Sequence, residues 1–198
     1  MQIREWLPLP KEWEVPLTVQ LTVAPIIPSK FTEQAWCGRK ILEECDISYV
    51  YALINDLYLC KFSPHDTQVL SMKHLANILD HAKQIICFDG EMYFCLLLRW
   101  FSEDRMIHWR FHMFSIAEKL REKPLYVYTT LKEIIEWNPE IYQGAVPSLW
   151  QLSKSKEVER LLQTRLHIEH LLWKWIQREE RITYFKNEQF KTTLIKLS

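Results

Sequence analysis

Short apolar runs, too brief for helices, alternate along this chain with apolar stripes at helical spacing, and that alternation constrains the fold most. Leu17–Val23, Ser48–Ile54 and Leu57–Phe62 are rich in Val, Leu, Ile and Tyr, side chains that suit a pleated, half-buried surface. Asn55–Asp56 separates the second run from the third and predicts a tight hairpin. Leu70, Leu75, Ile78, Leu79 and Ala82 then recur at helical spacing, predicting a helix over about 67–83. Ile85–Phe88, ended by Asp89–Gly90, reads as a buried strand and turn. Glu91–Phe101 is apolar on nearly every face, as in a buried helix. Ile107–Phe111 reads as a fifth strand, leading into a helix over Phe114–Arg121. The last helix is expected from Ser153 or Ser155 to about Arg178, with either serine able to cap it. Further helices are expected at Thr32–Glu44 and, from the capping box Thr130-x-x-Glu133, to Trp137. Ile182–Phe185 and Thr192–Leu197 close the chain as a hairpin. Three strands, helix, strand, helix, strand, then helices imply an α/β fold: a mixed sheet of a three-strand meander plus βαβ crossovers, flanked by helices.

At 198 residues the chain is long enough for one core of ordinary size. Pro8, Pro10, Pro16, Pro25 and Pro28 crowd the first thirty residues, so residues 1–16 read as an extended, irregular arm and 17–198 as the domain. Trp6 and Trp13 in that arm are hard to bury locally; they would dock back on the domain or into a protein partner. Three glycines, Gly38, Gly90 and Gly144, allow no Gly-rich phosphate loop. Lys and Arg number 25 and so do Asp and Glu, which excludes a globally basic nucleic-acid binder and leaves only a local patch. Five cysteines without a CxxC pair sit in apolar segments and read as reduced core residues, which together with the absence of a leader-like or bilayer-length apolar stretch predicts a cytoplasmic protein with no membrane contact.

Three stretches carry a family resemblance. Ile85-Ile86-Cys87-Phe88-Asp89-Gly90-Glu91-Met92-Tyr93-Phe94 resembles the second motif of the DnaQ-like, or DEDD, 3′–5′ exonucleases, where a strand ends in Phe-Asn-Gly and a Phe-Asp pair follows. Gly144-Ala145-Val146 and Leu149-Trp150, followed by Glu157–Leu162 and Ile168–Trp175, resemble their last segment, which ends in a helix bearing the final catalytic Asp. Ile182-Thr183-Tyr184-Phe185 is similar to their closing strand. The resemblance covers roughly 17–198 and implies a ribonuclease-H-like fold with a long C-terminal helix.

That family's chemistry uses four carboxylates holding two divalent ions about 4 Å apart. Carried over residue by residue, the acids are missing. The first-strand Asp-x-Glu falls on Ala24 and Ile26, the second-motif Asp on Phe94 and the final Asp on Arg165. The resemblance therefore implies a domain without cofactor that binds or scaffolds within a nucleic-acid-processing assembly. Two alternatives stand beside it. One is an active nuclease using Mg²⁺ or Mn²⁺ on the spare acids Asp46, Asp89, Glu91 and Glu169. The other is a protein-interaction module unrelated to nucleic acid.

Arg165 and Glu169 lie one turn apart, near the middle of the last helix's apolar face. Either they snorkel to solvent, or they pair in the space where relatives hold a metal and its Asp. For a nucleic-acid patch the candidates are Arg99, Trp100, Trp109, Arg110, Trp173 and Lys174, aromatics beside cations; Trp at helical spacing also serves as core. His108 and His112 lack a third ligand, and His167 and His170 read as solvated.

Overall fold

The computed structural model describes residues 4–5, 16–26, 45–120, 155–186 and 189–197. Strands β1 (Arg4–Glu5), β2 (Leu17–Ile26), β3 (Asp46–Ile54), β4 (Tyr58–Phe62), β5 (Ala82–Cys87) and β6 (Met113–Ser115) form one sheet in the order β1-β4-β3-β2-β5-β6. β2, β3 and β4 are antiparallel neighbours, whereas β5 runs parallel to β2, and β6 to β5. The expected α/β mixed sheet of meander plus crossovers is present. β1 was not expected: two residues of the proline-rich arm pair parallel with β4.

β2 holds the centre because it can be buried on both sides. Leu17, Val19, Leu21 and Val23 enter one core; alternate residues Gln20, Thr22 and Ala24 lie on the opposite face, as the two-residue period of a strand requires. The β3–β4 turn works as its sequence suggests. Asn55 and Asp56 take φ of 49° and 61°, the paired left-handed conformation that matches the twist of two strands. Asn55 Oδ1 also accepts from Thr18 N at 2.8 Å, tying the turn to β2. Where Ala24 pairs with Tyr49 but Pro25 with Ile47, Ser48 is left over as a β-bulge.

Helices α1 (Met72–Asp80), α2 (Gly90–Leu97) and α3 (Glu103–Phe111) cover one face through Leu75, Ile78, Tyr93, Leu96, Met106 and Trp109. After the short α4 (Ile116–Leu120), α5 (Ser155–Glu179) covers the other. Its Leu162 and Leu166 pack with Ala24, Tyr51 and Leu53, and its Ile168, Leu172, Trp173 and Ile176 with Ile86, Phe88 and Phe114. β7 (Arg181–Lys186) and β8 (Gln189–Leu194) make the closing hairpin as a separate two-stranded sheet. No described helix is long and apolar enough to cross a membrane.

Several boundaries differ from the sequence reading. Ile107–Phe111 is helix, not strand: Ser102 stands at the N-cap and Glu103 and Asp104 in the first turn, where acids complement the helix dipole. The run misled because Ile107 is exposed and Phe111 is 84% exposed, leaving Met106 and Trp109 to anchor α3. The fifth strand is β6, and the helix expected over Phe114–Arg121 shrinks to α4. α1 is shorter than 67–83 because Ser71 precedes it and Ala82 already opens β5. α2 ends at Leu97, not Phe101. The helices expected at Thr32–Glu44 and Thr130–Trp137, the segment Gly144–Trp150, and Trp6 and Trp13 lie outside the described residues.

Candidate functional site

Between β2 and α5 the sheet buries a polar patch. Arg165 Nε donates to Glu169 Oε1 at 2.9 Å, with side chains only 9% and 1% exposed. The pair is therefore interior, not snorkelled. Leu162 and Leu166, to either side of Arg165 along the helix, pack on Ala24, so α5 brings the pair against the end of β2 that the resemblance assigns to the first acids. β5 stops pairing with β2 at Leu21, and α2 fills the space beyond. There Tyr93 sends its hydroxyl to Thr22 Oγ1 at 3.1 Å, and the Arg165 guanidinium carbon stands 5.8 Å from its ring centre. Phe94, the position matched to the second acid, is half-buried against the core that also holds the Tyr93 ring, with Arg110 over its own ring at 5.5 Å. The structure thus gathers Thr22, Ala24, Tyr93, Arg165 and Glu169; Phe94 is outside this group, and the side chain of Ile26 lies outside the described residues.

A second polar contact starts from the residue after Glu169 on α5. His170 Nδ1 donates to Gln20 Oε1 at 3.2 Å and is 3.5 Å from Asp56 Oδ1, which also pairs with Lys174. His170 is buried, in contrast to the solvated state expected, and burial lowers its pKa against the opposing pull of Asp56. His167 is exposed. Gln20 Nε2 and Glu169 Oε2 are buried with no hydrogen-bond partner among the described residues. Burial pushes the Glu169 carboxyl up to about 7 from 4.5, outweighing the pull of Arg165, and Asp89 adds to the rise.

The other spare acids have separate tasks. Asp89 caps α2, accepting from Met92 N at 3.0 Å; Glu91 is exposed in the first turn of that helix. Asp46 accepts from Ile47 N, from Trp100 Nε1 and from the His65 ring at 2.7, 3.2 and 3.1 Å. No group of three or more His, Cys, Asp or Glu is placed to hold a metal ion among the described residues. His108 and His112 come together at the end of α3 with ring centres 5.1 Å apart, without a third ligand.

Of the residues proposed for stacking on nucleic acid, Trp109 and Trp173 are core. Trp109 Nε1 donates to Asp80 Oδ1 at 2.8 Å, and Trp173 packs on Phe114. Arg99, Trp100, Arg110 and Lys174 are exposed. Arg99 Nη1 donates to Cys45 O at 2.7 Å, beside the Asp46–Trp100 contact, while Arg110 binds Glu118 at 3.3 Å and Lys174 pairs with Asp56. The sequence reading missed Gln20, Thr22, Tyr93 and the His65–Asp46 contact. Gln20 and Thr22 carried a signal: two polar residues at alternate positions of an otherwise apolar strand share one face.

In comparisons with known proteins the chain matches no family model, and no curated protein sequence matches it.

Proposed function

We propose that this chain is a ribonuclease-H-like domain resembling the DEDD exonucleases, stripped of its metal ligands, that serves as a binding or scaffolding subunit of a nucleic-acid-processing assembly. The observation that carries the reading is the buried Arg165–Glu169 pair: a guanidinium occupies the position matched to the final catalytic acid, against the end of β2. The order of strands β2 to β6, with β3 antiparallel to β2, β5 parallel to β2 and β6 parallel to β5, supports the same fold. A buried cation opposes the binding of divalent metal at that place by direct charge repulsion.

Zero net charge confines any nucleic-acid contact to a local surface. The exposed Arg99, Trp100, Arg110 and Lys174 are the candidates that remain. The test is incubation of the pure chain with labelled single-stranded DNA and RNA plus Mg²⁺ or Mn²⁺. Intact strands, with retention that weakens as salt rises, are expected. Metal-dependent cleavage abolished by Asp89→Ala would overturn the reading in favour of an enzyme with displaced acids. Absence of binding to either strand at low salt would remove the nucleic-acid half and leave a protein-interaction module.

A further inference from the structure

A cavity of about 370 Å³ opens beside β3 and the segment that follows β4, lined by Ser48, Tyr49, Ser63, His65, Asp66 and Gln68 among others. Its floor is set by the bulge. Ser48, the residue left over in the β2–β3 register, is 2% exposed, and its buried Oγ has no hydrogen-bond partner among the described residues.

The lining is an acceptor surface. Ionised Asp46 can only accept, so the His65 Nε2 that lies 3.1 Å from its Oδ2 carries the proton. In the neutral ring, Nδ1 is then an acceptor, and it has no partner among the described residues. Trp100 holds the arrangement, donating to Asp46 while its ring stands edge-on to His65 at 5.6 Å. Tyr49 donates its hydroxyl proton to Asp66 Oδ2 at 3.4 Å, and the Asp66 carboxylate adds a negative charge. Ser63 is already committed, donating to Ser48 O and accepting from the backbone of His65 and Asp66. Nearby cations are tied down: Lys61 pairs with Glu159 at 2.6 Å over the Tyr49 ring, and Arg99 binds Cys45 O.

We propose that this cavity binds an organic cation bearing a guanidinium or ammonium group, whose N–H donors satisfy Asp66 and His65 Nδ1. Such a group carries only donors and a positive charge, so it complements a surface of acceptors, whereas a phosphate would meet the carboxylates of Asp46 and Asp66. The same group can come from a free amine or from a basic side chain of a peptide.

Three probes decide this in proton–nitrogen correlation spectra of the full chain: agmatine, N-acetyl-arginine amide, and N-butylurea as a neutral isostere. Agmatine should shift the amides of Ser48, His65 and Asp66 saturably, and butylurea should not. Asp66→Asn keeps the side chain's acceptor oxygen for Gln68 N and should weaken agmatine about tenfold, the loss of one charge-assisted contact. Tyr49→Phe, which alters the cavity without removing charge, serves as the second variant and should weaken it less than Asp66→Asn. Saturable binding of acetyl-arginine amide as well identifies a peptide side chain as a source; binding of agmatine alone identifies a free amine. Agmatine shifts that do not saturate at these amides, equal binding of butylurea, or Asp66→Asn without effect would each overturn the proposal. Because no nucleic acid enters the test, its failure is separate from that of the scaffold reading.

Discussion

Replacing Arg165 by Met, alone and then together with Glu169→Leu, asks whether the buried pair stabilises the fold or is carried at a cost. In the structure Arg165 Nε donates to Glu169 Oε1 at 2.9 Å, and Glu169 Oε2 has no partner among the described residues. Even with Arg165 beside it, the carboxyl sits at about 7 against an ordinary 4.5; at about 1.4 kcal/mol per unit, holding it ionised costs roughly 3 kcal/mol. Arg165→Met removes the compensating charge but leaves the acid buried, which should destabilise by about 3–5 kcal/mol at pH 8. Adding Glu169→Leu removes the acid as well and fills the space with apolar atoms. The double variant should then regain the whole loss and exceed the unsubstituted chain by about 1–4 kcal/mol.

Urea unfolding followed by tryptophan fluorescence reads this as midpoint shifts at constant slope. The destabilisation by Arg165→Met should also be smaller at pH 5 than at pH 8, since Glu169 takes up a proton at the lower pH and no longer needs a counter-charge. A double variant less stable than the unsubstituted chain would refute the reasoning, because it would show that the pair contributes more through its bonds than its desolvation removes.

Three further outcomes follow from the same coordinates. Because the folded state holds the Glu169 proton up to about pH 7 and the unfolded chain loses it near 4.5, stability should fall as pH rises across that window, by about 3 kcal/mol, and level off above it. Glu169→Gln, which cannot ionise, should flatten this limb in urea titrations run at several pH values. Gly90→Ala should destabilise by about 1–3 kcal/mol in thermal unfolding, since a Cβ there would come within 2.9 Å of both Ser115 Cβ and Glu118 Oε1. Trp109→Phe should cost about 1–3 kcal/mol, combining a small cavity with loss of the 2.8 Å bond to Asp80; near-UV circular dichroism should confirm a native fold.

What could be read in advance divides along a physical line. The meander was legible because β2 and β3 are buried on nearly every described residue and β3 is joined to β4 by Asn55–Asp56, whose left-handed conformations few other pairs adopt. Burial of that extent leaves a local record. α3 left none: with Ile107 and Phe111 pointing to solvent, its apolar residues do not mark its buried face, and helix and strand become indistinguishable by pattern. The site followed the same rule. Arg165 and Glu169 could be found because two charges on an apolar helix face, one turn apart, are anomalous within a single element. Their surroundings could not, since Thr22 meets Tyr93 across 71 residues of chain and Gln20 meets His170 across 150. Periodicity within an element reports which face is buried but not what that face meets. Along α2 it is Tyr93, one position before Phe94, whose hydroxyl reaches β2. A shift of one residue turns a helical side chain by about 100°, enough to decide which of two neighbours meets Thr22. Pattern within a helix therefore locates the segment that approaches a strand, while the residue that meets it is decided by packing.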